Sequence, residues 1–202
     1  MNILFVRHGK DSDQHRGGWS QLDLLPEGKR EAKMLADYLV QHKEDYHFTK
    51  MITSDLKRAE TTATILVEAL QLPLEKESSL RETNNGDLAG MLNSEADQKF
   101  PRLYFRSLAM DEHYPNGESP GEFYQRIKTW FQRFLQENDD SDETQIVVTH
   151  GGVINIIYHL VNQIEWTNKS NLFHVKHCSI SLLNTKTLVF EVENQTDFLE
   201  EK

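Results

Sequence analysis

Two stretches of the chain place histidine directly after an apolar run. Arg7 and His8 follow residues 2–6, and His150 follows residues 145–149. A neutral imidazole can act as a nucleophile, and the planar guanidinium of arginine matches the oxygens of a phosphate group. Arginine also stabilises charge on a transferring group without a metal ion. These residue types indicate phosphoryl chemistry, in which His8 attacks and Arg7 holds the phosphoryl group.

These residues need a scaffold, and the order of the predicted elements supplies one. Residues 2–6, 50–53 and 145–149 are predicted as short buried strands. Helices are predicted after the first two strands, one beginning at Pro26 and one capped by residues 54–55. Alternating strands and helices indicate a parallel α/β sheet. We predict a single-domain, three-layer α/β/α sandwich with a mostly parallel sheet and helices on both faces.

The ends of these strands are expected to meet. In parallel sheets with right-handed crossovers, the carboxyl ends lie at one edge, where such folds bind ligands. Arg7, His8 and His150 should converge there, and Arg58 is placed to join them from the first turn of the second helix. Helix N termini at this edge add N–H groups and positive dipole ends that favour an anion. The sequence therefore predicts a phosphate site.

The middle of the chain is irregular. Residues 81–117 contain Asn and Gly in a pattern typical of loops, and we predict a lid-like insertion at about 91–117. We expect the apolar side chains of this insertion either to line a lid or to form a satellite core under a long loop. They are Leu103, Tyr104, Phe105, Leu108 and Tyr114.

Regular patterns return after the insertion. Residues 119–122 form a capping box with proline at the first helical position, which predicts the start of a long helix. Residues 138–143 are predicted as a polar loop. Residues 179–193 are predicted as a hairpin at the sheet edge.

Composition limits the classes of partner. The chain has 202 residues, of which 27% are charged and 38% hydrophobic, as in an ordinary globular domain. A net charge of -10 argues against binding nucleic acid or an anionic membrane. The single cysteine, Cys178, and the lack of a signal-peptide pattern favour a cytoplasmic protein. We expect a small phosphorylated metabolite as the partner and no cofactor.

Five segments together resemble the histidine phosphatase superfamily, specifically its first branch, which includes the cofactor-dependent phosphoglycerate mutases and related phosphatases. They occur in the family's order and span most of the chain. The matching segments are 6–9, 54–59 with Thr62 and Ala63, 80–82 with Gly86 and Gly90, 115–119, and 148–152. The resemblance implies the family's α/β fold and a phosphoryl-transfer reaction.

The resemblance also implies roles for individual residues. It assigns His8 as the residue that becomes phosphorylated and Glu82 as the proton donor. It places Arg7, Arg58 and His150 in the phosphate pocket, and we count Gly151, directly after this last histidine, as a phosphate-binding residue too. The residues by themselves identify Glu82 only as a carboxylate in a loop rich in glycine and asparagine.

The chain departs from the family pattern at several positions. Lys10 and Gln14 replace the acidic residue and the asparagine that are frequent after the first motif, and the loop around Arg16 differs from the usual segment. We count Gln14 and Arg16 as candidate substrate contacts. The sequence after Gly90 lacks the basic stretch by which the mutases grip phosphoglycerate, so a phosphatase is favoured over mutase-type phosphoryl transfer.

Other kinds of site were weighed against this one. Residues 117–121 match the Gly-x-Ser-x-Gly pattern of serine hydrolases, but Pro120 lacks the N–H that the oxyanion hole requires. Two arginines would repel a divalent cation, and His8 and His150 have no cysteine or ordered acidic set nearby, so no metal is expected. A non-catalytic phosphoester-binding protein of the same fold would keep the arginines but could lose His8 or Glu82.

Overall fold

A six-stranded sheet forms the centre of the molecule. The computed structural model describes residues 1–137, 142–170 and 172–200. The strands lie in the order β3-β2-β4-β1-β5-β6. Their bounds are β1 Asn2–Arg7, β2 Phe48–Thr53, β3 Leu74–Lys76, β4 Thr144–Thr149, β5 Ile180–Asn184 and β6 Val189–Gln195. Strands β1 to β4 pair in parallel, whereas β5 is antiparallel to both β1 and β6.

Helices cover both faces of this sheet. One core cluster joins α1 and α3 to the sheet, and another joins α5 and α6 to its opposite face. The helices are α1 Pro26–Gln41, α2 Lys43–Tyr46, α3 Lys57–Leu70, α4 Asn93–Lys99, α5 Pro120–Glu137 and α6 Gly151–Val161. The predicted three-layer α/β/α sandwich is confirmed. None of the described helices is long and apolar enough to cross a membrane.

The side chains of β1 explain why helices pack on both faces of the sheet. Ile3 and Phe5 point into the α5/α6 cluster, whereas Leu4 and Val6 point into the α1/α3 cluster. Successive side chains of a strand face opposite sides, so an uninterrupted apolar strand needs a core on each face. The polar residues of the site begin where this run ends, at Arg7.

The region between β3 and α5 forms a third, smaller core. Leu88, Ala96, Leu108 and Tyr114 are buried together. The predicted insertion at about 91–117 supplies three of these residues, so part of its apolar content is satellite core. An antiparallel bridge between His15 and Leu92 joins this region to the loop after β1.

The start of α3 and the edges of the sheet differ from the prediction. Helix α3 begins at Lys57 without a side-chain cap, so residues 54–55 do not cap it. The short strand β3 was not predicted, since its three exposed residues show no apolar alternation. The predicted hairpin is present, but β5 pairs with β1 and only β6 lies at the edge. Residues 138–141 of the predicted polar loop lie outside the described residues.

Candidate active site

The ends of β1 and β4 bring the two histidines together. Arg7 is the last residue of β1 and pairs with Thr149 at the end of β4. The N–H of His8 then donates to the carbonyl of Thr149 at 3.0 Å. The rings of His8 and His150 are 5.1 Å apart. The predicted convergence at this edge is present.

The hydrogen bonds of His8 define which ring nitrogen is reactive. Nδ1 lies 2.8 Å from the carbonyl of Gly9, which can only accept, so Nδ1 carries the proton. Arg58 donates from Nε to Nε2 of His8 at 3.2 Å, so Nε2 carries a lone pair. Burial, reinforced by the neighbouring His150 ring and by the positive charges of Arg58 and Arg7, holds the pKa of His8 well below its usual value. His8 is therefore a neutral imidazole with its lone pair on Nε2.

Close packing holds the backbone that carries His8. A methyl group on Gly9 would lie 2.4 Å from the carbonyl oxygen of Gly28, in the first turn of α1. The hydroxyl of Thr62 accepts from the N–H of Gly9 at 3.1 Å and donates to the carbonyl of Arg58 at 2.8 Å. Glycine at position 9 thus allows the backbone to approach α1 closely, and the Thr62 hydroxyl links this backbone to α3.

Arg58 is buried and held on several sides. Only 2% of the residue is exposed. Besides His8, its guanidinium donates to the carbonyl of Gly18 at 2.8 Å and to the carbonyl and hydroxyl of Ser20 at 3.2 and 3.4 Å. These contacts fix the plane of the guanidinium beside the reactive nitrogen.

Arg7 approaches the site from the other side. Nη1 donates to the carbonyl of Val175 at 2.5 Å, and Nη2 donates to Nε2 of His177 at 2.8 Å. Its buried Nε has no hydrogen-bond partner among the described residues. Gly151 lies against this side chain, since a methyl group there would be 3.4 Å from Nε. Arg7 therefore keeps one donor free for a ligand.

His150 contributes a second unpartnered nitrogen. It is fully buried immediately before α6, and its Nε2 lies 2.8 Å from the hydroxyl of Ser54. Nδ1 is buried without a partner in the part of the chain that the structure describes. Burial, then the charges of Arg58 and Arg7, hold the pKa of His150 well below its usual value. Ser54, expected to cap α3, orients this histidine instead.

Glu82 lies across the site, on the irregular segment before α4. Its carboxylate accepts from the N–H of Thr83 and from the N–H of Gly152, both at 3.0 Å. A methyl group on Gly152 would lie 2.3 Å from this carboxylate, so glycine makes room for it. The indole N–H of Trp19 donates to the carbonyl of Glu82 at 2.7 Å. The structure therefore places Glu82 beside the start of α6.

Two residues of the site were not found from the sequence. Asp11 is three positions after His8, and its carboxylate lies 3.5 Å from Nε of Arg58. His177 lies 2.8 Å from Arg7 and 3.7 Å from Asp11. The antiparallel strand β5 runs beside β1, so the residues before it arrive at the carboxyl end of β1. No signal in the sequence predicted this placement of His177, because the hairpin was expected at the sheet edge and not beside β1.

Three residues bring metal-ligating atoms close together. One such atom each from His8, Asp11 and His177 lies within 4.8 Å of the others. However, Arg58 donates to Nε2 of His8 and Arg7 donates to Nε2 of His177. A cation bound there would have to displace both arginine donors and face their charges. The arrangement suits an anion better than a metal ion.

The two candidate substrate contacts lie on the loop between β1 and α1. The side chain of Gln14 is exposed, and the backbone carbonyl of Gln14 accepts from the backbone N–H of Asn93 at 2.8 Å. Arg16 pairs with Asp97 at 2.6 Å and lies over the ring of Tyr104 at 4.4 Å. None of their described contacts is with His8. Arg58 and His150 lie beside the nucleophile, whereas Gly151 lies against Arg7 and Glu82 against Gly152.

A cavity of about 290 Å³ adjoins the site on the side of Glu82. Arg7, Glu82 and Gly151 form one wall, and Phe105 and Arg106 contribute another from the region between β3 and α5. Asn168 ties that region to the loop after α6 by donating to the carbonyls of Phe105 and Leu108. His8 itself is not part of the lining. The cavity therefore lies beside the carboxylate of Glu82, with the nucleophile outside its lining.

Comparison with known proteins identifies the family. Residues 3–197 match the family model for the histidine phosphatase superfamily (branch 1). Phosphoglycerate mutase-like protein 4 of Arabidopsis thaliana is 34% identical over 163 residues, covering 77% of this chain and 69% of the relative. A metal-independent phosphoserine phosphatase of the same plant is 30% identical over 175 residues, covering 83% and 71%. The crystal structure of a putative alpha-ribazole-5'-P phosphatase from Escherichia coli has the same fold, with a TM-score of 0.82, 22% identity and 97% of each chain covered. The chain thus belongs to branch 1 of the histidine phosphatase superfamily.

Proposed function

We propose that the protein is a metal-independent phosphatase that hydrolyses a small phosphate monoester through a phosphohistidine on His8. One observation carries the proposal. His8 is neutral, with its proton on Nδ1 and its lone pair on Nε2, and Arg58 lies 3.2 Å from that nitrogen. A buried neutral imidazole beside a fixed cation is equipped to attack a phosphorus atom and to stabilise the resulting charge.

The first step transfers the phosphoryl group to the protein. The lone pair on Nε2 of His8 forms the N–P bond while the P–O ester bond breaks. The electron pair of that bond passes to the departing oxygen, which takes a proton from the carboxyl group of Glu82. This step requires Glu82 to be protonated when substrate binds. The N–H groups of Thr83 and Gly152 hold the carboxyl group in position.

The surrounding donors stabilise the charge on the transferring group. Arg7 Nε and His150 Nδ1 are buried without partners among the described residues, which is costly unless a ligand satisfies them. Phosphate oxygens supply acceptors for Arg7, and for His150 when its Nδ1 carries the proton. The N terminus of α6 adds a positive dipole end. These groups can supply the charge stabilisation that a metal ion supplies elsewhere.

The second step releases inorganic phosphate. A water molecule attacks the phosphorus and gives a proton to the Glu82 carboxylate, while the N–P bond breaks and returns its electron pair to Nε2 of His8. Glu82 is protonated again and His8 is neutral again. Both groups are then ready for another turnover.

We propose that the alcohol portion of the substrate occupies the cavity beside Glu82. At about 290 Å³ it suits a small phosphorylated metabolite, and Glu82 at its wall would face the departing oxygen. The buried cysteine Cys178 is consistent with the proposed cytoplasmic setting. We propose no nucleic-acid or membrane partner.

Mutase-type phosphoryl transfer remains the alternative within the family. A 2,3-bisphosphoglycerate-dependent phosphoglycerate mutase from Cytophaga hutchinsonii is 28% identical over 180 residues, covering 86% of this chain and 81% of that relative. The absence of a basic stretch after Gly90 favours hydrolysis in this chain. A phosphatase releases inorganic phosphate at the rate at which substrate disappears, whereas a mutase passes the phosphoryl group to another alcohol.

The test is to trap the intermediate. A panel of phosphate monoesters identifies a substrate, and rapid denaturation during turnover should then yield protein-bound phosphate that is labile to acid and stable to alkali. His8→Ala should trap none. Equal trapping in His8→Ala, or substrate binding without trapped phosphate or turnover, would contradict the proposed mechanism.

A further inference from the structure

A fixed negative charge lies inside the proposed phosphate site. The carboxylate of Asp11 is 3.5 Å from Nε of Arg58 and 3.7 Å from Nε2 of His177. One of its oxygens also lies within 4.8 Å of a ring nitrogen of His8. Only 18% of the Asp11 side chain is exposed, so solvent screens this charge incompletely. A phosphate group bound at His8 would therefore face a carboxylate as well as the arginines.

The carboxylate remains charged under ordinary conditions. Burial by itself raises the pKa of Asp11, but its contact with His177 and the neighbouring His8 and Arg58 outweigh burial and lower the pKa to about 2. At neutral pH, Asp11 is an anion facing the position that the phosphate dianion would take.

Arg58 does not depend on Asp11 for its position. The guanidinium also donates to Gly18, Ser20 and His8 at 2.8 to 3.4 Å, and none of these contacts involves the carboxylate. Asp11 is therefore not needed to orient this arginine. Its main effect on a bound phosphate is repulsion, because like charges at this separation in a partly buried site oppose each other strongly.

We propose that Asp11 acts as a resident anion of the phosphate site, which competes with inorganic phosphate for Arg58 and keeps the product weakly bound. The inference rests on the proposed function, since it requires phosphate to bind beside His8. When phosphate leaves, the carboxylate partners the arginine that phosphate has vacated. Product release then does not expose an unpaired buried cation.

The experiment measures the affinity for inorganic phosphate by titration calorimetry, using the full chain. Asp11→Asn removes the charge and keeps the size of the side chain. We expect it to bind phosphate at least about tenfold more tightly than the unmodified protein. A gain in affinity separates this role from a structural one, because disturbing the site would weaken binding.

The control is Asp13→Asn. Asp13 lies two residues further along the same loop, with 74% of its side chain exposed, and pairs with Lys10 at 2.9 Å. This variant loses the same charge from the same loop, and its phosphate affinity should stay within about twofold of the unmodified protein. Asp11→Ser provides a second way to remove the inner charge and should reproduce the gain, which guards against a folding defect in Asp11→Asn.

The outcomes separate this inference from the proposed function. Phosphate binding by the unmodified protein, with equal or weaker binding in both folded Asp11 variants, would overturn the role of Asp11 and leave the phosphate site standing. An equal gain in Asp13→Asn would show a general effect of net charge and would also overturn it. No phosphate binding by any of the proteins would overturn the site itself, and the role of Asp11 with it.

Discussion

Nε of Arg58 lies 3.2 Å from Nε2 of His8, and this contact bears on both the tautomer and the charge state of the imidazole. Because arginine can only donate, Nε2 must present its lone pair. The same guanidinium opposes protonation of the ring and is positioned to receive the charge of a phosphoryl group. Activation of the nucleophile and binding of the anion are thus combined in one side chain.

Replacement of Arg58 by lysine should therefore strongly reduce activity. Lysine keeps the positive charge but cannot hold the contacts with Gly18, Ser20 and His8 at once. We expect kcat/KM to fall by about 10²–10³-fold for alkyl and nitrophenyl phosphates alike. Arg133→Lys, at an exposed ion pair with Glu77, is the matched control. It should leave kcat/KM unchanged for both substrates. A loss confined to one class of substrate would contradict this role.

The consequence of Glu82→Gln should depend on the leaving group. An alkyl phosphate expels a basic alkoxide that needs a proton, whereas nitrophenyl phosphate expels a stable anion. We expect single-turnover phosphorylation of His8 to fall by about 10²–10⁴-fold for the alkyl ester and by far less for the nitrophenyl ester. Equal losses would assign Glu82 to positioning and leave the proton donor unidentified.

Gly152→Ala tests how Glu82 is held. The added methyl group would lie 2.3 Å from the carboxylate, so Glu82 must move away from the N–H of Gly152. The variant should show the same leaving-group dependence as Glu82→Gln while keeping nearly the same melting temperature. Gly17→Ala, whose methyl group would meet no atom within 4 Å, is the control. Full activity in Gly152→Ala would show that the position of the carboxylate is not critical.

Activity should survive chelation. Arg7, Arg58 and His150 are expected to supply the charge stabilisation, so prolonged dialysis against EDTA should leave kcat unchanged. Atomic absorption on the dialysed protein should confirm that metal has been removed. Loss of activity that Mg²⁺, Mn²⁺ or Zn²⁺ restores would instead assign His8, Asp11 and His177 to a metal site.

Stability should fall as the pH is lowered through the histidine range. In the folded protein the pKa values of His8 and His150 lie well below the ordinary 6.5, so only the unfolded chain takes up these protons. Their contribution to the free energy of unfolding is complete above about pH 6.5 and falls below it, by about 1.4 kcal/mol per pH unit for each histidine.

Chemical denaturation between pH 7 and pH 5 measures this effect. The slope of the free energy of unfolding against pH gives the number of protons taken up on unfolding. In His8→Gln this number should be smaller by about one than in the unmodified protein. Identical slopes in the two proteins would show that His8 is not held neutral by the fold.

The sequence by itself determined the central parallel strands β1, β2 and β4, the long helices beside them and the residues that follow these strands. Apolar runs that end in Arg7, His8 and His150 carry both a strand signal and a chemical signal within a few residues, so local pattern is sufficient. The capping box at residues 119–122 is equally local, and the structure shows both of its hydrogen bonds. Glu82 was identified only through resemblance, because an acidic residue in an irregular loop has no pattern of its own.

Only the tertiary structure decided which groups meet around His8. Ser54 binds His150 across 96 positions of the chain, and His177 reaches Arg7 because β5 inserts antiparallel to β1. Asp11 was adjacent in sequence, yet its charge matters because Arg58 arrives from α3 to face it. Periodicity reports which side of an element is buried, whereas these contacts depend on strand order and on the paths of loops. Those are set by the packing of the whole chain, since no single element buries its apolar surface alone.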